Sequence, residues 1–389
     1  MDDTERARSV IERLSFPRES ASAAERRAAE IVAGALGEAG APARLEAELV
    51  HGTHWWPFGL PAAASLGAGL SGRRLPAVIA GVLGAASVLD DAGGGPALLR
   101  RRLLPQRTTW NVVCELGDPS AVRRLIVCSH HDSAHGGITF EEPLATLFAR
   151  GSTRQTFAQI AGGPALVALG ALTGRRPLLR AGLGLSALTT ALMTDIARRG
   201  AVPGANDNAA GCAALVLLAR RLVVDPPTGL RVTLLSTGSE ESWVEGMRAY
   251  WERHAAELDP RSTVVLCLDS IGFSKLSLRD VEEDALRAHR TPSWLADLVV
   301  DAATGAAVTL ERGFPGAFPT DALIAHQRGV PAATLVSFDE HGRMPGYHTD
   351  RDTPEQVHLP SVLAAAHVAE AVAHRLSKSS VALPVPEHG

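Results

Sequence analysis

Apolar positions recur with a helical period over residues 4–14 and 22–38, where Ile31, Val32 and Leu36 fall on one face. The stretch SASAAERRAAE supplies a serine N-cap and early acids, and Gly40 closes the second helix. Strand-like runs follow at 43–50 (ARLEAELV) and 108–117 (TTWNVVCELG). These two read as partners although more than fifty residues separate them, so the chain carries an insert. The insert, 51–107, opens on His54, Trp55 and Trp56, runs uncharged to Gly72, turns at Arg73 and Arg74, and runs uncharged again from Leu75 to Leu89. A second insert, 134–202, repeats the design. It has no charge between Phe157 and Thr173, a turn at Arg175 and Arg176, and a return from Leu178 to Ala197 that carries only Arg180 and Asp195. Both read as apolar helical hairpins.

Beyond Gly204 helices and apolar strands alternate: a helix at 211–223, a strand at 230–237, a helix at 245–255 and a strand at 262–270. A helix at 293–304, a strand at 308–313, a helix at 320–328, a strand at 331–338 and a helix at 360–376 complete the series. That alternation predicts an α/β fold, a three-layer α/β/α sandwich around a central mixed, mostly parallel sheet. The expected organisation is one catalytic domain over 1–376, interrupted by the two hairpins, with a disordered Ser/Pro-rich tail at 377–389.

The uncharged runs of the hairpins are just short of the ~20 residues that cross a bilayer. Small residues at four-residue spacing, Ala77/Gly81/Ala85 and Gly182/Ser186/Thr190, let helices approach closely, and paired tryptophans suit a headgroup interface. Membrane contact through 55–89 and 157–197 is one expectation. A soluble Ala/Gly-rich bundle or a dimerisation arm, and with it a homodimer, fits the same pattern. Arginines at both ends leave the orientation open. GAGLSG (Gly67, Gly69, Gly72), with Asp90 and Asp91 further on, matches a dinucleotide-binding fingerprint only in form, because no strand precedes it and Arg73, Arg74 and Pro76 interrupt the helix it should open.

Composition removes some classes of function. A formal net charge of −4 and 4% aromatic residues give neither the basic footprint nor the stacking platforms of a nucleic-acid binder. Cys114, Cys128, Cys212 and Cys267 lie in apolar segments without CxxC spacing and read as reduced core residues. The charged start MDDTERARSV has no apolar core, so no secretory signal is expected, and the catalytic domain is placed in the cytoplasm or on the cytoplasmic side of a membrane.

Five polar stretches sit at strand ends or on loops that reach them: CSHHDS, GANDNAAG, TGSEES, LCLDSIG and YHTDRDT. Alternation puts His130 and Asp132 on one face and His131 on the other, so Asp132 can orient the His130 imidazole. Asp207 lies on a glycine-bounded turn before a helix start, where Asn206, Asp207 or Asn208 could equally serve as a cap. Glu240 and Glu241 follow a buried strand, Asp269 ends another, and His348 precedes the last helix. Imidazoles and carboxylates without thiolates suit Zn²⁺, with Mn²⁺ or Co²⁺ as alternatives. Five ligands exceed the needs of one catalytic zinc, whereas two metals sharing a bridging carboxylate use them all.

In their order, H-x-D-S, G-A-N-D-N-A-x-G, E-E, L-D-x-I-G and Y-H-T, these motifs resemble the M28 family of zinc peptidases, whose relatives include leucyl aminopeptidases, glutamate carboxypeptidases and glutaminyl cyclases. The resemblance covers about 1–50, 108–135 and 200–376 and leaves both hairpins outside. It implies two zinc ions per chain bridged by Asp207, with His130 and Asp269 completing one site and Glu241 and His348 the other. It further implies Glu240 as general base, a peptide or aminoacyl substrate, and an aminopeptidase reaction. A glutaminyl-cyclase-like acyltransferase and a catalytically silent membrane or scaffold relative are the alternatives. One departure is visible: where the family often has S-D-H-x-x-F, this chain reads PTDALIAH, with Ala322 after Asp321, so a substrate-pocket histidine is missing.

Overall fold

A computed structural model describes residues 2–149, 151–313 and 319–378. Helices α1 (Asp3–Leu14) and α2 (Ala23–Glu38) start at capped ends: Asp2 and Glu5 form a reciprocal capping box, and Ser22 accepts from the amides of Ala24 and Glu25. Strand β1 (Arg44–Val50) leads into the first hairpin, α3 (Trp55–Leu70) and α4 (Arg74–Ala92). A short α5 (Leu98–Leu103) returns the chain to β2 (Arg107–Gly117). After β3 (Arg124–His130) the chain leaves again through α6 (Leu144–Ala149), α7 (Thr153–Thr173) and α8 (Arg176–Arg198). The remainder runs α9 (Ala210–Val224), β4 (Arg231–Thr237), α10 (Glu245–His254), β5 (Thr263–Leu268), β6 (Lys275–Arg279), β7 (Val281–Glu283) and β8 (Ala288–Arg290). It ends with α11 (Ser293–Gly305), β9 (Glu311–Arg312), α12 (Ala322–Gln327), β10 (Ala332–Phe338) and α13 (Leu359–Lys378).

Among the described residues the main sheet has eight strands in the order β1-β2-β4-β3-β5-β10-β6-β9. The pairs β4–β3, β3–β5, β5–β10 and β6–β9 are parallel, and β1–β2, β2–β4 and β10–β6 antiparallel. Strands β3, β5 and β10 are buried along their whole length, which explains their unbroken apolar runs. Their side chains alternate between two cores. Leu125 and Val127 meet α1, α2, α9, α11 and α13 on one face, and Ile126 and Cys128 meet α10 and α12 on the other. This is the expected three-layer α/β/α fold with a mixed, mostly parallel sheet.

Several edges differ from expectation. Strand β6 (KLSLR) was not foreseen, because a short run bounded by Lys275 and Arg279 carries little apolar signal, yet it pairs along β10. The strand expected at 308–313 contracts to Glu311–Arg312. Residues 377 and 378, assigned to a disordered tail, are the last residues of α13, and the rest of that tail lies outside the described residues.

The two hairpins combine into one four-helix bundle in which α4 packs on α7, α7 on α8, and α3 on both α4 and α8. Small residues set the spacing. A Cβ added at Gly81 would stand 2.5 Å from the Pro164 carbonyl oxygen, and one at Gly182 would stand 2.5 Å from the Val167 amide nitrogen. At the root, Phe58, Phe157 and Trp243 make edge-on contacts at 4.7–5.8 Å between centroids, joining α3 and α7 to the loop after β4.

Candidate metal centre

Strand register brings the ligand candidates level with one another. His130 is the last residue of β3 and pairs with Thr237 of β4, so the chain beyond Thr237 reaches Glu240 and Glu241 at the same end of the sheet. Cys128 pairs with Cys267, which sets Asp269, just past β5, beside His130. All three lie outside the carboxyl ends of parallel strands, where α/β sheets place their sites.

Asp207 and His348 arrive from loops. Gly204, at φ +62, opens the turn before α9, and the carboxylate of Asp352 accepts from the amides of Asn206 (2.7 Å) and Asp207 (3.0 Å). The open question of a helix cap divides between neighbours. Asn208 takes the capping role, its Oδ1 accepting from the Gly211 amide while its Nδ2 donates to the Leu268 carbonyl, and the Asp207 side chain is left for the cluster. His348 lies against Tyr347 (3.8 Å between ring centroids) and Phe140 (4.5 Å). Ser239, Ser270 and His348, none of them glycine, have φ of +53, +51 and +53. Such backbone is uncommon outside glycine and gathers at sites whose surroundings hold it.

The side chains converge. Asp207 Oδ1 is 3.1 Å from His130 Nε2, and its Oδ2 is 3.0 Å from His348 Nε2, which is 3.5 Å from Glu241 Oε2. Two triads therefore share Asp207: His130/Asp207/Asp269 and Asp207/Glu241/His348, each with ligand atoms within 4.8 Å of one another. Glu240 lies beside them, 4.0 Å from His130 Nε2, and forms a third group with His130 and Glu241.

Asp132 is wholly buried and touches three parts of the site. One oxygen is 3.3 Å from His130 Nδ1 and accepts from the Glu240 amide; the other accepts from the Glu241 amide (3.1 Å) and the Ser20 hydroxyl (2.6 Å). His131 points away, as alternation required, its Nδ1 within 2.9 Å of Ser236 Oγ. Buried Arg18 donates to the carbonyls of His131 and Gly204 and so ties the two ligand loops together. Sequence reasoning missed Ser20, Arg18 and His54, whose Nδ1–H donates to the Glu241 carbonyl at 2.8 Å. Nothing local marks them, because their partners are more than a hundred residues away. Asp352, inside YHTDRDT, had a signal that went unused. Asp321 is also buried beside the cluster, one oxygen bonded by the Thr237 hydroxyl and the other without a partner among the described residues, while Ala322 lies in the core under α12 and puts no imidazole at the site.

Burial outweighs everything else for most of these carboxyls. It pushes Asp269 up to about 6, with Asp207 adding and His130 opposing, and Asp321 up to about 7, with Asp269 and Asp132 adding. Glu240 and Glu241 are driven well above the usual carboxylate range by burial and by neighbouring carboxylates. Asp207 goes the other way: burial would raise it, but His130 and His348 together hold it low. His130 is raised, the facing Glu240, Asp132 and Asp207 outweighing its burial. Carboxyls that raise one another in this way mark a place where a cation would be favoured. Among the described residues His348 Nδ1 and Glu241 Oε1 have no hydrogen-bond partner, and His348 Nε2 meets only the carboxylates of Asp207 and Glu241. Oxygen and imidazole donors, unpaired and convergent, fit a divalent cation of the zinc type.

A cavity of 340 Å³ lies to one side, lined by Glu19, His51, Trp55, Trp56, Leu60 and Arg107 among others, and none of the five ligand candidates lines it. Residues 189–373 match the model of peptidase family M28. In fold the chain is similar to a zinc-dependent exopeptidase from Parabacteroides distasonis, at 15% identity and a TM-score of 0.57 over 95% of this chain and 97% of that one. It is similar to a zinc aminopeptidase from Bacillus subtilis (14%, 0.57, 96% and 95%) and to a glutaminyl cyclase from Fimbriiglobus ruber (16%, 0.56, 95% and 94%). None of the curated proteins matches it in sequence. With the family match over residues 189–373 and the shared fold, the resemblance to the M28 peptidases read from five motifs is borne out.

Proposed function

We propose that the chain is a zinc-dependent exopeptidase of the aminopeptidase kind, holding two zinc ions and using Glu240 as general base. The observation that carries this reading is the pair of triads sharing Asp207. Asp207 offers one oxygen towards each histidine and would bridge the ions, with His130 and Asp269 completing one site and Glu241 and His348 the other. When bound, zinc supplies a Lewis acid and lowers the pKa of water towards neutrality. The chain's own residues do the rest. Asp132 holds the His130 ring and, through two amides, the turn that carries Glu240. Glu240 is left over from both triads and is free to take a proton from water as its oxygen attacks the scissile carbonyl. As the C–N bond breaks, Glu240 passes that proton to the leaving amine.

Metal analysis of the purified chain and a peptide-library assay test the reading. Two zinc ions per chain and release of N-terminal residues are expected. Glu240→Gln should keep zinc and lose about 10²–10⁴-fold in kcat, while Glu241→Gln should lose zinc itself. One zinc per chain with pyroglutamate formed from N-terminal glutamine would replace this reading with a glutaminyl-cyclase-like one. Full zinc without turnover of any peptide would remove the enzyme reading.

A further inference from the structure

The four-helix bundle exposes far more apolar surface than a soluble protein of its size needs to. Its interior contacts are made by small residues such as Gly69, Gly81, Gly84, Gly163, Gly182 and Ser186. Phe58, Val88, Phe157 and Val167 are also inside, but many other large apolar side chains point outward: Leu70 on α3 is 68% exposed, Leu75 and Leu83 on α4 69% and 62%, Leu172 on α7 66% and Leu188 on α8 53%. A water-facing helix carries charges on that side. Here residues 56–71, 75–89, 155–174 and 177–194 contain a single charged side chain, Arg180. Helices α4 and α7 are long and apolar enough to cross a membrane, yet only 33% and 50% of their apolar windows are buried within the protein, so they are not ordinary core helices.

The exposed leucines occupy all four helices, so a second copy docking on one flank would leave the other flanks in water. Charge is confined to the two ends. The tip carries exposed Arg73, Arg74, Arg175 and Arg176 with no acid beside them in sequence, which complements anionic headgroups. The root carries exposed Trp56, a residue type that favours the membrane interface. At 1.5 Å per residue the helices measure about 24 Å (α3) to about 34 Å (α8), against a hydrocarbon core of ~30 Å that accommodates small mismatches by thinning or snorkelling.

We propose that this bundle is embedded in a lipid bilayer, its arginine tip among the anionic headgroups of the far leaflet and the metal cluster held at the near surface. The cluster sits at the root because His54, the residue before α3, bonds the carbonyl of Glu241, and Phe140, on the segment that leaves for α7, lies against His348. The inference does not depend on the reaction catalysed.

The test uses the full chain with phosphatidylcholine–phosphatidylglycerol vesicles. The unmodified chain should float with the vesicles and resist alkaline extraction. The four native cysteines are buried, so Leu83→Cys, Leu172→Cys and Leu188→Cys, on three different helices, can each be labelled with an environment-sensitive fluorophore, with Val122→Cys on the catalytic half as control. All three bundle probes should be quenched by nitroxides on acyl chains and lose quenching by aqueous iodide, and the control should do the reverse. A chain that stays in the aqueous phase without detergent, with bundle probes open to iodide, overturns the proposal. So does a soluble dimer in which one flank alone is shielded.

Discussion

The catalytic half and the bundle bury opposite things. Around the His/Asp/Glu cluster the protein encloses polar groups and holds many of them by hydrogen bonds: Asp132 accepts from two amides and a hydroxyl, Asp352 from two amides, and Arg18 reaches several carbonyls. In the bundle many of the contacts between helices are made by small residues, hydroxyls such as Ser65 and Thr190 bond carbonyls one turn back, and many large leucines are outside. The first region takes its order from hydrogen bonds in a low-dielectric interior. The second takes its order from close backbone approach at small residues such as Gly81 and Gly182.

The largest expected effect is at the junction of the two. Arg100, from α5, bonds Asp91 near the end of α4 (2.8 Å), faces Glu245 at the start of α10 (3.1 Å), and donates to the carbonyls of Thr53 and Ser242. Glu245 in turn takes the amides of His51 and Gly52 and the Ser242 hydroxyl. Arg100→Leu leaves two buried carboxylates without their cation and should cost about 3–5 kcal/mol of stability. Chemical denaturation of the detergent-solubilised chain measures it. A loss below about 1 kcal/mol would mean that the regions are joined by apolar packing alone.

Within the catalytic half, Asp132→Asn keeps the shape but turns an amide group towards donors. Zinc affinity or kcat should fall about 10–100-fold, the usual cost of losing a partner that orients a ligand, with helical content unchanged. Competition titration against a zinc chelator, alongside kcat, separates the two effects. If neither moves, Asp132 is not what holds His130 and the Glu240–Glu241 turn in place.

How far the sequence showed this contrast depended on the range of the interactions. The sheet was legible because β3, β4, β5 and β10 are local apolar runs, and the ligand candidates were legible because each sits at the end of one or on a motif bounded by glycine, tyrosine or serine. Ser20, Arg18 and His54 were not, since their contacts span 112, 186 and 187 residues and depend on the completed fold. Strand β6 escaped because its signal is its pairing with β10, not its composition. For the hairpins the pattern gave the helices and their turns but not their partners. That α4 meets α7 follows from shape, with Gly81 fitting over Pro164 and Ala168, which no periodicity encodes.

The smallest effect tests that shape directly, with two glycines of α8 two residues apart. Gly182 faces α7, and a Cβ there would press within 2.5–2.9 Å of the backbone at Val167, Leu166 and Gly163; at Gly184 a Cβ meets nothing within 4 Å. Gly184→Ala adds helix propensity without a clash and should stabilise the chain by about 0.5–1 kcal/mol. Gly182→Ala gains the same propensity but forces two helix backbones apart, and overpacking of this kind costs about 1–3 kcal/mol, so the net sign reverses. Thermal unfolding in one detergent compares them. Equal shifts would show that α7 and α8 do not meet through Gly182, and the close-packed interior that distinguishes the bundle from the catalytic half would have to be given up.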